Sequence, residues 1–229
     1  MTSFGPTPSR FVFKLVTAGL AMDVLWPIGD DWNHRDVKSV LQREDVAPYW
    51  AQILEVIQDI SWEEVVSCHQ EKYAKQMSLS KAMSVIINQR LRAIGSVKAP
   101  IFTSNLCDGN DRYVLWNKLG PIGIEYAFGH PDGLNWKMTR LCTAVMPNEL
   151  QMRNPCQMGI LIVATESLRQ CAKFDAKSNW ELAVENLSIM MHWQAPILVL
   201  GIKNPESFRM FDMGKGENPR SQIVFKSNE

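Results

Sequence analysis

The pattern of apolar and polar positions divides the chain into a helical first part and a second part in which strands and helices alternate. From Tyr49 to about Tyr73, apolar side chains fall at Trp50, Ile53, Leu54, Ile57, Ile60 and Trp62. That is close to helical spacing, and a break is expected near Ser61. Ser80 opens a second helix carrying Met83, Ile86, Ile87, Leu91 and Ile94, with Gly95 placed to end it. After Pro100 the period shortens. Residues 113–115 and 122–128 read as strands, and Trp116 to Pro121 between them has the composition of a turn.

Leu134, Met138, Leu141 and Val145 return to a helical stripe, followed by a continuous apolar run from Met158 to Ala164. Glu166 to Phe174 predicts a short helix. Ser178 and Glu181 have capping-box spacing ahead of a helix with Trp180, Val184, Leu187 and Met191 on one face, and Pro196 to Ile202 is a last apolar strand. Two-sided apolar strands separated by helices predict an α/β sheet covered on both faces. The segment after Pro205, rich in Gly, Pro and charge, predicts a mobile or irregular arm.

Composition adds limits. A chain of 229 residues, 46% of them hydrophobic, is expected to form one globular domain. Lys+Arg 24 balances Asp+Glu 24, so any surface for nucleic acid must be made locally. Cys68, Cys107, Cys142, Cys156 and Cys171 are odd in number and include no Cys-x-x-Cys pair, which fits a reducing cytoplasm. The apolar stretch from Phe11 to Leu25 faintly resembles a signal peptide, but Lys14 interrupts it and it is too short to span a bilayer. No membrane association is expected.

The candidate chemistry lies in Gly123-Ile124-Glu125-Tyr126-Ala127-Phe128-Gly129. In a strand Ile124, Tyr126 and Phe128 point one way, and Glu125 and Ala127 the other. Asp111 precedes the preceding strand, so a hairpin would bring two carboxylates to one end of the sheet, where they suit Mg²⁺ and phosphodiester hydrolysis. Alternatively, the Asp of Asp-Gly-Asn-Asp is a turn residue and the strand Glu is solvated. Cys68 beside His69 is not a nucleophile and base, because adjacent helical residues do not face each other.

The run Gly123 to Gly129, the helix after it, the strand from Gly159 to Val163, the loop before Ser178 and the ending Ala195-Pro196-Ile197-Leu198-Val199-Leu200-Gly201-Ile202 together resemble BamHI- and BglII-type type II restriction endonucleases. The similarity covers roughly residues 50–203, and the remainder, 204–229, reads as a C-terminal arm. It implies a restriction-endonuclease-like mixed central sheet flanked by helices on both faces, and a homodimer that cuts palindromic double-stranded DNA with Mg²⁺. A GATC-containing site is the first expectation. By position the resemblance makes Asp111 and Glu125 the metal-binding acids and Ala127 the third catalytic position, where the family places Glu, Gln or Lys. Alanine cannot orient or deprotonate water. Either the third side chain has been removed to hold uncut DNA, which is the preferred reading, or the water is positioned from elsewhere, for instance by His130 or the substrate phosphate.

The same resemblance points to His130, Asp132, Asn135, Asp175 and Lys177 as readers of base edges. Lys137, Arg140 and Arg153 become phosphate contacts. The helices over 133–146 and 179–193 become the dimer surface, with Met190, Met191 and Trp193 as its apolar contacts. A non-cleaving DNA-binding protein on the same fold is the alternative. An enzyme acting on small phosphorylated substrates ranks lower, since no Gly-rich phosphate loop is present.

Overall fold

The computed structural model describes residues 24–25, 34–101, 114–129, 131–145, 155–174, 179–189, 195–204, 208–214, 216–217 and 219–225. A six-stranded mixed sheet forms its centre, in the order β1-β6-β5-β4-β3-β2. The strands are β1 (Val24–Leu25), β2 (Val97–Pro100), β3 (Val114–Leu119), β4 (Ile122–Ala127), β5 (Met158–Ala164) and β6 (Ile197–Ile202). Adjacent strands β4, β5 and β6 are parallel, while β2, β3 and β1 pair antiparallel at the two sides. Parallel neighbours require a crossover. It is made by α5 (Pro131–Val145) between β4 and β5, and by α6 (Glu166–Cys171) and α7 (Trp180–Ile189) between β5 and β6.

Side-chain alternation along the central strands creates two cores. Ile122, Ile124, Phe128, Met158, Ile160, Ile162, Leu198, Leu200 and Ile202 join one cluster, with residues of α1 (Val37–Leu41), α2 (Ala47–Gln58), α3 (Trp62–Lys72) and α4 (Ser80–Ala93). Ala127, Leu161, Val163, Ile197 and Val199 join the other, with Leu134, Met138 and Leu141 of α5 and Ala183 and Leu187 of α7. A strand buried on both faces has no polar face, which is why these runs are continuously apolar.

The break near Ser61 separates α2 from α3, and its cause is a cap: Ser61 Oγ accepts from Glu64 N at 3.1 Å. Gly95, at φ +92°, follows α4 as expected. The turn before β4 is shorter than the sequence suggests. Trp116, Asn117, Lys118 and Leu119 belong to β3, and Gly120-Pro121 alone make the turn. Asn117 is completely buried and its Oδ1 accepts from Ser96 Oγ at 3.0 Å, a partner that composition does not reveal, while its Nδ2 has no hydrogen-bond partner among the described residues. At Gly120, with φ +53°, an added Cβ would lie 2.6 Å from the Tyr49 ring. The cap of α7 also differs. Asn179 Oδ1 accepts from Leu182 N at 2.8 Å, while Ser178 lies outside the described residues.

The expected irregular arm contains an ordered hairpin. Strands β7 (Phe208–Asp212) and β8 (Ser221–Phe225) pair in antiparallel register, and Met210 is buried in the first core. Arg220 N donates to Ala74 O at 2.9 Å. Buried His69 places Nε2 3.1 Å from Ser221 Oγ, and Nδ1 has no hydrogen-bond partner among the described residues. Burial holds the His69 pKa below its ordinary 6.5. The unfolded chain therefore binds the proton more readily, and stability is present above about pH 6.5 and lost as pH falls below it. Glu125, raised to about 7, pulls stability the opposite way over this range, so the His69 contribution is read as a difference: between pH 7.5 and 5.5 the wild type is expected to lose stability relative to His69→Gln in urea unfolding, by at most about 1.4 kcal/mol per pH unit.

Candidate active site

The alternation of β4 carries Glu125 to the α5 side of the sheet, where it is 1% exposed. A buried carboxylate needs a partner. Arg140, on the buried face of α5, supplies one: its Nη2 lies 2.9 Å from Glu125 Oε2. The other oxygen, Oε1, is buried and has no hydrogen-bond partner among the described residues. Burial pushes the Glu125 carboxyl up to about 7, against the opposing charges of Arg140 and Lys137 and the backbone N–H of Trp116, which also favours the charged form.

Lys137 stands one helical turn before Arg140 on the same helix. Its Nζ donates to the Tyr126 carbonyl and lies 5.2 Å from the Tyr126 ring centroid. Burial lowers its pKa, Glu125 raises it, and Arg140 lowers it. Two cations therefore converge on the backbone and side chain of residues 125–126, and one of them, Arg140, is charge-paired within hydrogen-bond distance.

The sheet opens at this point. The β3–β4 ladder runs from Leu119↔Ile122 through Lys118↔Gly123 to Asn117↔Ile124. Both strands continue, to Val114 and Ala127, where β3 pairs with β2 and β4 pairs with β5. Glu125 is the first β4 residue beyond the ladder, at the root of a fork. Ala127, next on the same face, is buried among apolar side chains and adds no polar group.

The remaining candidates divide by what the structure describes. Asp111, His130, Arg153, Asp175 and Lys177 lie outside the described residues, as does the side chain of Asp132. So do Cys107, Met190, Met191 and Trp193. Asn135 is exposed, and its Oδ1 accepts from Asn186 Nδ2 at 3.1 Å, which ties α5 to α7 within one chain. Arg140, expected as a phosphate contact, instead turns its guanidinium inward and is 5% exposed.

One cluster escaped the sequence reading. Glu166, the first residue of α6, accepts from Arg169 Nε and Nη2 at 2.6 Å each, from Gln170 Nε2 at 2.9 Å and from Asn179 Nδ2 at 2.6 Å. These donors, Arg169 first, hold its carboxyl down to about 2. The Glu166–Arg169 spacing was readable as a helical pair, but the link to Asn179 across the intervening loop was not. Burial pushes the thiols of Cys142 and Cys156 up to about 12 and about 11, which makes them inert as nucleophiles.

No group of three His, Cys, Asp or Glu side chains among the described residues is arranged to hold a metal. Among the described residues Glu125 fits part of such a site, because its Oε1, without a hydrogen-bond partner among them, is the hard anionic oxygen that Mg²⁺ prefers. No helix among the described residues is long and apolar enough to cross a membrane.

No protein-family model matches the chain, and no curated protein matches it. Among solved structures, the chain is similar to restriction endonuclease BglII complexed with a DNA 16-mer. The TM-score is 0.52 at 13% identity, over 90% of this chain and 90% of that one. Agreement across that span with so little identity is a likeness of fold. The mixed sheet flanked by helices on both faces is thus a restriction-endonuclease-like fold.

Proposed function

We propose that this protein is a DNA-binding nuclease that hydrolyses phosphodiester bonds in double-stranded DNA with Mg²⁺, acting as a homodimer on a short palindromic site. The observation that carries the reading is Glu125 itself, a buried carboxylate with one oxygen unpartnered among the described residues, at the root of a fork in a restriction-endonuclease-like sheet. Asp111, just ahead of the β3 end that leaves the β3–β4 ladder, is the proposed second acid.

When bound, Mg²⁺ supplies charge neutralisation at the phosphate and a more acidic water. Glu125 Oε1 and Asp111 are the groups that would hold it. Arg140 opposes the protonation that burial favours at Glu125 and fixes its orientation through Oε2. Asn179, pinned by Glu166, fixes the start of α7, and Asp175 and Lys177, shortly before it in the sequence, are the proposed readers of base edges.

Incubating the full chain with supercoiled plasmid and Mg²⁺ tests the proposal: nicked or linear product is expected, and none in EDTA. Ala127 supports a second reading, a protein that binds duplex DNA without cutting it. Tight binding with no cutting in Mg²⁺, even with Gln placed at position 127, would select that reading.

A further inference from the structure

We infer that Lys137, reaching in from α5, is the catalytic residue that performs at this site the work no side chain at position 127 can do. The inference rests on the nuclease reading and adds to it the donor that contacts the attacking water and the phosphate.

The argument begins with the two cations. Arg140 is committed: its Nη2 is held at 2.9 Å by Glu125 Oε2, and both side chains are buried. Lys137 is not charge-paired in this way. Among the described residues its ammonium donates to a neutral acceptor, the carbonyl of Tyr126. An ammonium has three donors, so two remain for groups that arrive at the site. That carbonyl lies between Glu125 and Ala127, on the part of β4 beyond the β3–β4 ladder. The Lys137 charge is near enough to Glu125 for each to perturb the other.

Position 127 explains why a helix side chain can serve here. Ala127 carries one methyl group, buried in the core beneath α5. A long side chain at 127 would project on the α5 face, the face from which Lys137 comes. With alanine in the strand and lysine on the helix, the ammonium reaches the β4 backbone from the opposite direction.

In the reaction the water oxygen forms a bond to phosphorus as the bond from phosphorus to one ester oxygen breaks. The water gives up one proton, the departing oxygen gains one, and one water is consumed. Lys137 remains protonated throughout. It donates one hydrogen bond to the attacking water and one to a non-bridging phosphate oxygen, where negative charge grows.

The test measures cutting and binding separately on the full chain. Lys137→Met is expected to lower single-turnover cutting of plasmid in Mg²⁺ by about 10²–10³-fold, the loss typical of one preorganised donor, while duplex affinity in Ca²⁺ falls less than about tenfold. Lys137→Gln, which keeps a donor but loses the charge, covers the case that Lys137→Met does not fold, and a smaller loss, of at least about tenfold, is expected. Moving the lysine in Lys137→Met/Ala127→Lys should recover at least about tenfold of the cutting, since the ammonium returns to the same site from the strand. A merely structural lysine would not be rescued this way. Cutting within about threefold of wild type in both single variants would overturn the inference and leave the nuclease reading standing. So would a loss matched entirely by weaker binding, or a folded relocated variant no faster than Lys137→Met. Wild-type protein that cuts nothing in Mg²⁺ removes both.

Discussion

Replacing Glu125 with Gln is expected to abolish Mg²⁺-dependent DNA cutting, lowering the rate by about 10³-fold or more. The size follows from what is lost: metal-centred charge stabilisation contributes several kcal/mol, and each 1.36 kcal/mol is tenfold in rate. Glutamine has nearly the same shape but carries no charge. Its amide oxygen is a poorer ligand for a hard cation, and Oε1 is the oxygen proposed for that role. Gln would also leave Arg140 as a buried cation without its carboxylate, so a fall in stability could mimic a fall in chemistry. The control is Glu125→Gln/Arg140→Gln, which removes both charges together. Cutting is then compared at a temperature where each variant is folded, as judged by its melting curve. Loss of cutting with duplex binding retained supports Glu125 as the metal acid, whereas cutting within about tenfold of wild type in both variants would defeat that role.

Arg140→Met is expected to be the most destabilising single change at the site, by about 3–5 kcal/mol at pH 8 in metal-free buffer. The Glu125–Arg140 pair is buried, and removing one partner leaves the other charged in a poorly solvated position. The sign with pH can be worked out. Burial already raises the Glu125 carboxyl to about 7, and without Arg140 it must rise further. The folded protein then holds a proton that the unfolded chain releases above about pH 4.5, so stability falls as pH rises. The penalty should therefore shrink towards pH 5 and be largest at pH 8. The double change Glu125→Leu/Arg140→Met removes both charges and should recover most of the lost stability, because replacing a whole buried pair by apolar groups is often neutral or favourable. Urea unfolding at pH 5 and pH 8 decides it. An Arg140→Met protein within about 1 kcal/mol of wild type at pH 8 would mean that water reaches the pair in solution.

The fold was largely legible because it rests on local periodicity. The runs Met158 to Ala164 and Ile197 to Ile202 could be assigned as doubly buried strands, and each lies in both cores. The split near Ser61 was expected as a break in the stripe, and its cause is local, a cap made with a neighbour three residues on. Less was legible where a partner distant in the chain decides the outcome. Asn117 reads as a turn residue until Ser96 is seen to bond its side-chain oxygen within β3, which runs on to Leu119. The C-terminal segment reads as an arm until Met210 and Ser221 are seen to dock on the helical layer. Two residues at the chain's other end, Val24 and Leu25, add an antiparallel edge strand that no pattern of two residues can announce.

The sequence alone determined which side of β4 Glu125 occupies, because strand alternation admits two faces and the apolar neighbours claim one. It also determined that position 127 offers no polar group. Tertiary structure decided the electrostatics around them. Whether Arg140 is a surface cation or a buried counter-ion depends on how α5 lies across the sheet, and the crossover from β4 to β5 sets that. Whether Lys137 meets solvent or the Tyr126 carbonyl depends on the same placement. Charge acts through distance and burial, and neither is a property of spacing along a chain.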